Sequence, residues 1–435
     1  MRFLMLLVPT FRSSGSTSAP IFHELRKVMG AGKVMIPAPL FHLKFLNGIC
    51  RLRCRNFKWP ALAALAAVLI FFGVDSADAQ SDLDRCKFIG ELTKADDGVA
   101  ACDRIIKDSK TSAQDRASAL SDRCGWWWAK KDTDQALTDC NESIRANGAN
   151  AAAYLNRGNV YLSKSDFEHA FADFNEALRL DPKNAWAYAE RGNLYKNKGD
   201  FDHALADLSE SIRLDPGYAL AYFARGDLYR SRGDLAHAMA DMNDSIRLDP
   251  NYALAYFTRG RLSYMLGNGP AALEDFGKAI KLDADDATAY FNRGVTYYII
   301  GGRNPDAIAD FKKAAELNPK DAYAALWRDL AERRNNAPSH LAEAAKQLDM
   351  TVWPAPVIRQ FLGELNAEQT FGAAFDTDPQ TKVSQTCEAN FYSGESALLK
   401  KNKKEAQRLL KLAADNCPPS FIESTAALAE LIPLK

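Results

Sequence analysis

The sequence carries no surplus of either charge: 55 basic residues stand against 55 acidic ones in a chain of 435. Without a basic excess it is a poor candidate for nucleic acid, whose affinity rests on lysine and arginine neutralising phosphates. The apolar run Ala61–Phe72 (ALAALAAVLIFF) falls short of the roughly 20 residues that a membrane-spanning helix needs. No Ser-His-Asp set, nucleophile elbow, HExxH motif or pair of catalytic carboxylates stands out. The segment Gly30–Lys33 (GAGK) lacks the earlier glycine and the following Ser/Thr of a phosphate loop. Nothing therefore points to an enzyme, and neither cofactor nor metal is expected. What is present, 47% hydrophobic and 25% charged residues, excludes wholesale disorder and collagen-like structure.

The apolar run follows a basic stretch with Arg51, Arg53, Arg55 and Lys58, and precedes Ala77-Asp78-Ala79. Basic, then apolar, then small-x-small is the order of a secretory leader. We expect residues 1–79 to be a presequence cleaved after Ala79, leaving an exported, soluble protein; an uncleaved leader acting as a membrane anchor is the alternative. About 50 residues before the basic stretch exceed an ordinary leader, which a true start at Met29 or Met35 would explain. Residues 1–79 hold ten Lys/Arg and three Asp/Glu, a balance of +7, whereas the remainder holds 45 and 52, a balance of −7. The exported part is mildly acidic, which favours solubility and disfavours anionic surfaces.

From Ala151 onward the sequence repeats every 34 residues. Tyr154, Tyr188, Tyr222, Tyr256 and Tyr290 form one column, and Gly158, Gly192, Gly226, Gly260 and Gly294 another. Ala170, Ala204, Ala238 and Ala272 form a third, Pro182, Pro216 and Pro250 close their units, and a fifth unit is longer by one residue. Gly at place 8 and Ala at place 20 let two antiparallel helices approach closely, aromatics at places 4, 11 and 24 fill the surrounding space, and proline ends the second helix. The pattern resembles the tetratricopeptide repeat. The resemblance implies an all-α fold, a right-handed α-solenoid of helical hairpins with a concave groove.

Outside the five near-consensus units the register fades. A divergent unit carries Trp127, Ala136 and Ile144 in register, with Cys124 at place 8 and Cys140 at place 24. We expect a helical hairpin over 80–116 turning near Ala95–Gly98, a solenoid over 117–320, and an irregular helical region over 321–435. That region should hold a last hairpin over 385–416 turning at Lys401-Asn402-Lys403, and a short helix Phe421–Leu431. The six cysteines after the leader obey one rule: in a hairpin, facing residues are symmetric about the turn. Cys86 and Cys102 centre on 94, Cys124 and Cys140 on 132, and Cys387 and Cys417 on 402. Three disulfides, 86–102, 124–140 and 387–417, are expected for an exported chain; buried free thiols are the alternative. No pair has the close CxxC spacing that zinc sites favour.

His169, His203 and His237 share one repeat position, but equivalent helices lie roughly 8–10 Å apart and cannot converge on one ion, so surface histidines are expected. Arg157, Arg191, Arg225, Arg259 and Arg293, each before a place-8 glycine, face Asp173, Asp207, Asp241, Asp275 and Asp310 across the hairpins. Internal pairing is expected there rather than anion binding. The groove-facing places carry Trp186, Phe223, Phe257, Phe291, Tyr264 and Tyr298, rimmed by Asn193, Asp227, Arg230 and Arg261. Place 5 lacks the lysine of repeats that grip acidic chaperone tails, and the wall suits an apolar peptide or a partner helix. Alternatively, these aromatics pack against neighbouring helices or the chain's own C-terminal segment.

A narrower resemblance rests on Leu326-Trp327-Arg328-Asp329-Leu330-Ala331-Glu332, Phe361-Leu362-Gly363-Glu364-Leu365 with Glu368-Gln369-Thr370, and Glu388-Ala389-Asn390-Phe391-Tyr392. Together with the repeats these resemble the NlpI-type tetratricopeptide lipoproteins of Gram-negative bacteria over roughly 150–430. The resemblance implies a periplasmic scaffold or adaptor for peptidoglycan hydrolases and an envelope protease, often a homodimer. This chain departs from it in lacking a lipidated N-terminal cysteine and in carrying the cysteine pairs. A periplasmic assembly factor or chaperone for membrane or secretion complexes is the alternative function.

Overall fold

A computed structural model describes residues 82–88, 94–301, 304–418 and 421–434. The expected leader, with its run 61–72 and cleavage point at 79, lies outside them. The described residues form helices joined by short turns, with no strand among them.

Each 34-residue unit is a hairpin of two antiparallel helices. Ala151–Ser163 pairs with Phe167–Leu180, Ala185–Asn197 with Phe201–Leu214, Ala219–Ser231 with Leu235–Leu248, Ala253–Met265 with Gly269–Leu282, and Ala287–Ile300 with Asn304–Leu317. The place-8 glycine explains the close pairing: a Cβ on Gly158 would stand 2.5 Å from the Phe174 ring, and one on Gly226 would stand 2.7 Å from Met242 Cε. A side chain at either place would have to displace the Phe174 ring or the Met242 end from the hairpin core. The turn between the two helices uses one left-handed residue per unit, Gly199, Gly233, Gly267 and Gly301 at φ 75–80°. At the same place Lys131 and Ser165 accept φ 63° and 59°, a conformation that costs a side chain more than it costs glycine.

The second helices start on a cap that also explains the histidine column. Asp166, Asp200 and Asp234 accept the backbone N–H of His169, His203 and His237, satisfying an end-of-helix donor. The other carboxylate oxygen meets the imidazole Nδ1 at 2.8, 2.8 and 2.7 Å, and each ring stacks on Tyr161, Tyr195 or Tyr229 at 5.0–5.1 Å. These exposed histidines serve the turn. The arginine column is likewise internal: Arg225 donates through Nε and Nη2 to both oxygens of Asp241 at 2.9 Å. Arg157, Arg191 and Arg259 do the same to their own aspartates and reach back to Asn141, Asn175 and Asn243 of the preceding unit. Arg225→Ala, which strands the buried Asp241 carboxylate, is expected to cost about 2 kcal/mol in denaturant unfolding; an unchanged midpoint would contradict a stabilising role.

The pattern continues beyond the consensus units. Ala113–Ala129 pairs with Thr133–Ala146, with Arg123 bidentate on Asp139. The Cys124 and Cys140 sulfurs, at the glycine and aromatic places, lie 2.09 Å apart. Cys86 meets Cys102 at 2.15 Å and Cys387 meets Cys417 at 2.00 Å. Ala95–Gly98 forms the first turn of the helix Ala95–Lys107 rather than the expected hairpin turn, because its alanine and carboxylates suit a helix N-terminus. The hairpin Pro379–Leu399 with Lys403–Asn416 repeats the glycine device, a Cβ on Gly394 standing 2.8 Å from Leu410.

After the fifth unit, Ala322–Arg334 stacks as a further first helix, but no second helix of full length follows. Leu341–Ala344, Ala355–Leu362 and Ala367–Ala373 are short, and the chain returns through Pro379–Leu399 to pack on the last repeats. Trp327, fully buried, anchors this junction, with Phe291, Tyr298, Phe311, Phe391 and Tyr392 within 5.4–6.5 Å of its ring.

Candidate functional site

The first helices of the repeats line the groove, and the structure divides it in two. The downstream part is filled by the chain itself. Tyr298 is 1% exposed, donates its hydroxyl to Glu395 Oε2 at 2.8 Å, and lies under the Arg334 guanidinium at 4.3 Å. Tyr264 donates to the Ile422 carbonyl at 3.4 Å. Phe291 packs on Phe311 at 5.8 Å, and Phe257 packs on Phe276 at the same distance. The expectation that Tyr264, Tyr298 and Phe291 contact a ligand is thereby corrected: Pro379–Leu399 and the terminal helix Ile422–Leu431 occupy that wall. Phe257 belongs with the hairpin core.

The upstream part is open. Asn193 and Phe223, with Ala189, Glu190, Lys196, Tyr218, Leu220, Ala224 and Tyr252, line a pocket of about 190 Å³. Phe223 meets Tyr252 edge-on at 5.1 Å. Trp186 stacks on Phe88 of the N-terminal hairpin at 6.2 Å and donates its indole N–H to Glu190 at 3.0 Å. Arg230 is bonded to Asp227, and Arg261 lies half-buried beside them. Burial pushes the Glu190 carboxyl above its ordinary range, against the pull of the Trp186 hydrogen bond. Burial also pushes the Tyr252 phenol up to about 12, so it stays a hydrogen-bond donor at neutral pH. Tyr218, Tyr252 and Glu190 were not among the expected site residues. The tyrosines follow Pro216 and Pro250 by two residues, so a proline-x-tyrosine column was available as a signal. Glu190, alone in its column, offered none.

The segment that fills the downstream groove is held through buried acids. Glu388 Oε2 accepts from Trp353 Nε1 at 2.7 Å and from the Tyr323 hydroxyl at 2.8 Å, and Glu423 accepts from the Tyr392 hydroxyl at 3.3 Å. Burial first, and the Glu388 charge second, push Glu423 up to about 7. Its folded pKa thus exceeds the unfolded value of roughly 4.3, so the folded chain binds the proton more tightly. The stability it contributes is full below pH of about 4 and falls as pH rises through 7. Glu423→Gln, which keeps the neutral hydrogen-bonding shape, is expected to raise stability at pH 8 by on the order of 2 kcal/mol and to do little at pH 5. Thermal unfolding at the two pH values reads this; an equal effect at both would contradict it.

The comparisons agree with the geometry. A family model described as TPR repeat matches residues 158–199 and 260–301, and two described as Tetratricopeptide repeat match 190–253 and 287–321. Residues 158–321 are tetratricopeptide repeats. Over 144 residues it is 31% identical to a Lipoprotein NlpI homolog of Haemophilus influenzae, covering 32% of this chain and 45% of that one. The match therefore spans less than half of the relative's length. Among solved structures, YrrB, titled a TPR protein with an unusual peptide-binding site, is 26% identical with a TM-score of 0.36, covering 42% of this chain and 95% of its own. PilF of Pseudomonas aeruginosa is 16% identical with a TM-score of 0.45, covering 49% and 97%. Stacked tetratricopeptide hairpins form a scaffold for binding other proteins. Among the described residues, no helix is long and apolar enough to cross a membrane.

Proposed function

We propose that this protein is an exported scaffold that gathers envelope proteins, with peptidoglycan hydrolases or an envelope protease as its partners. The observation that carries the reading is the divided groove: one part sealed by the chain's own C-terminal helices, the other open and lined by Phe223, Tyr252, Leu220 and Asn193. The order of basic, apolar and small residues before Gln80, the three cysteine pairs and the similarity to a lipoprotein support an envelope location. In this reading 1–79 is the leader, 80–116 a stapled hairpin, 117–320 the binding solenoid and 321–435 its closing region. Affinity capture from an envelope extract, followed by mass spectrometry, tests it. Recovery of cell-wall hydrolases or a protease is the expected result; recovery of unfolded outer-membrane proteins alone would assign the chain to assembly or chaperoning instead.

A further inference from the structure

The open groove holds more positive charge than it pairs. Asp227 is bonded both to Lys196 Nζ at 2.8 Å and to Arg230, at 2.9 Å through Nε and 2.6 Å through Nη2. Arg261 occupies the same repeat place as Asp227, one unit on, and makes no hydrogen bond or ion pair with any described residue. Elsewhere the repeat arginines 157, 191, 225, 259 and 293 are each bidentate on an aspartate, so a half-buried guanidinium without an acceptor is an exception in this fold. Its place in the groove follows from the repeat, since Asn193, one unit before Asp227 in the same column, lines the pocket; its pKa is lowered by burial first and by the Arg230 charge second, with Asp227 pulling the other way. Lys196 and Arg230 thus share the single Asp227 carboxylate while Arg261 stands without one, and the other carboxyl lining the pocket, Glu190, is taken up by the Trp186 indole, in a protein whose charge from Gln80 onward is −7. A half-desolvated guanidinium gains most from a carboxylate, which matches its planar fork with two parallel hydrogen bonds.

We propose that the groove recognises a short acidic segment of a partner protein, an aspartate or glutamate side chain on Arg261 and Arg230 with a nearby apolar side chain in the pocket between Leu220, Phe223 and Tyr252. This rests on the groove being the binding site and names the chemistry it selects. The segment is short because the wall closes at Tyr264, one helical turn beyond Arg261, where Ile422 is seated. The charge complementarity also steers encounter and excludes cationic segments.

Fluorescence polarisation tests it with the full chain and labelled nonapeptides of serine and glycine, amidated at the C-terminus. Each carries one leucine and, three to five residues away, a glutamate, a glutamine or a lysine. The glutamate peptide is expected to bind roughly tenfold to a hundredfold more tightly than the glutamine one, the lysine peptide weakest, with the preference shrinking as salt rises. Arg261→Gln, which removes no internal bond, should abolish the preference without shifting the unfolding transition, and Phe223→Ala should weaken all peptides alike. Equal binding of the glutamate and glutamine peptides, or a preference that survives Arg261→Gln, overturns the assignment. So does binding that requires a free terminal carboxylate. Failure of every peptide while envelope proteins are still captured overturns this recognition and leaves the scaffold reading standing; failure of both removes both.

Discussion

Reducing the protein and alkylating its thiols is expected to loosen both ends of the solenoid and leave its middle intact. Cys86–Cys102 and Cys124–Cys140 each close 16 residues and Cys387–Cys417 closes 30. Loops of this length stabilise a fold by about 3 kcal/mol each, chiefly by restricting the unfolded chain. The location magnifies the effect. A repeat gains stability from both neighbours, and the hairpin around 387–417 borders the short helices Leu341–Ala344, Ala355–Leu362 and Ala367–Ala373 rather than a full repeat. At the second cysteine pair the bridge stands in the place of the glycine–aromatic contact that locks Gly158 onto Phe174, so breaking it removes that hairpin's main fastening. Hydrogen exchange with and without reductant reads this directly. Protection should fall over 95–146 and 387–417 and persist over 185–300. Uniform protection in both samples would contradict it, as would six free thiols in the exported protein.

Trp327→Ala is expected to destabilise the C-terminal half by about 3–5 kcal/mol, the cost of emptying a large aromatic site in a core that cannot collapse around it. The indole is fully buried and touches aromatics from three separate parts of the chain: Phe291 and Tyr298 on the last groove helix, Phe311 behind it, and Phe391 and Tyr392 on Pro379–Leu399. Its removal should release the closing region and expose Tyr264 and Tyr298. Unfolding is then expected in two steps, the closing region melting below the repeats. A single transition, shifted by under about 1 kcal/mol, would show that the junction is held by the Arg334–Glu395 and Arg334–Glu430 pairs rather than by this core.

The repeats were legible because their causes are local. Gly at place 8, Ala at place 20 and the closing prolines each answer a contact within 34 residues, and the structure puts Gly158 on Phe174 and Arg157 on Asp173 accordingly. The groove was only half legible. Phe223 and Asn193 line the open pocket, but Tyr298 and Tyr264, alike in pattern, are covered by Glu395 and Ile422, 97 and 158 residues away. A periodic sequence shows which residues face the concave side and carries no mark of what returns to cover them. The turn expected at Ala95–Gly98 failed for a related reason, since alanine followed by two aspartates opens a helix as readily as it serves a loop.

Capture from an envelope extract by the wild-type chain and by the double variant Phe223→Ala, Arg261→Gln, compared by quantitative mass spectrometry, tests the central claim most directly. The wild type should retain cell-wall hydrolases or an envelope protease, and the variant, shown still folded by its helical circular dichroism, should lose them. An identical set of partners on both would contradict a binding groove between Trp186 and Arg261 and move the site to the C-terminal region.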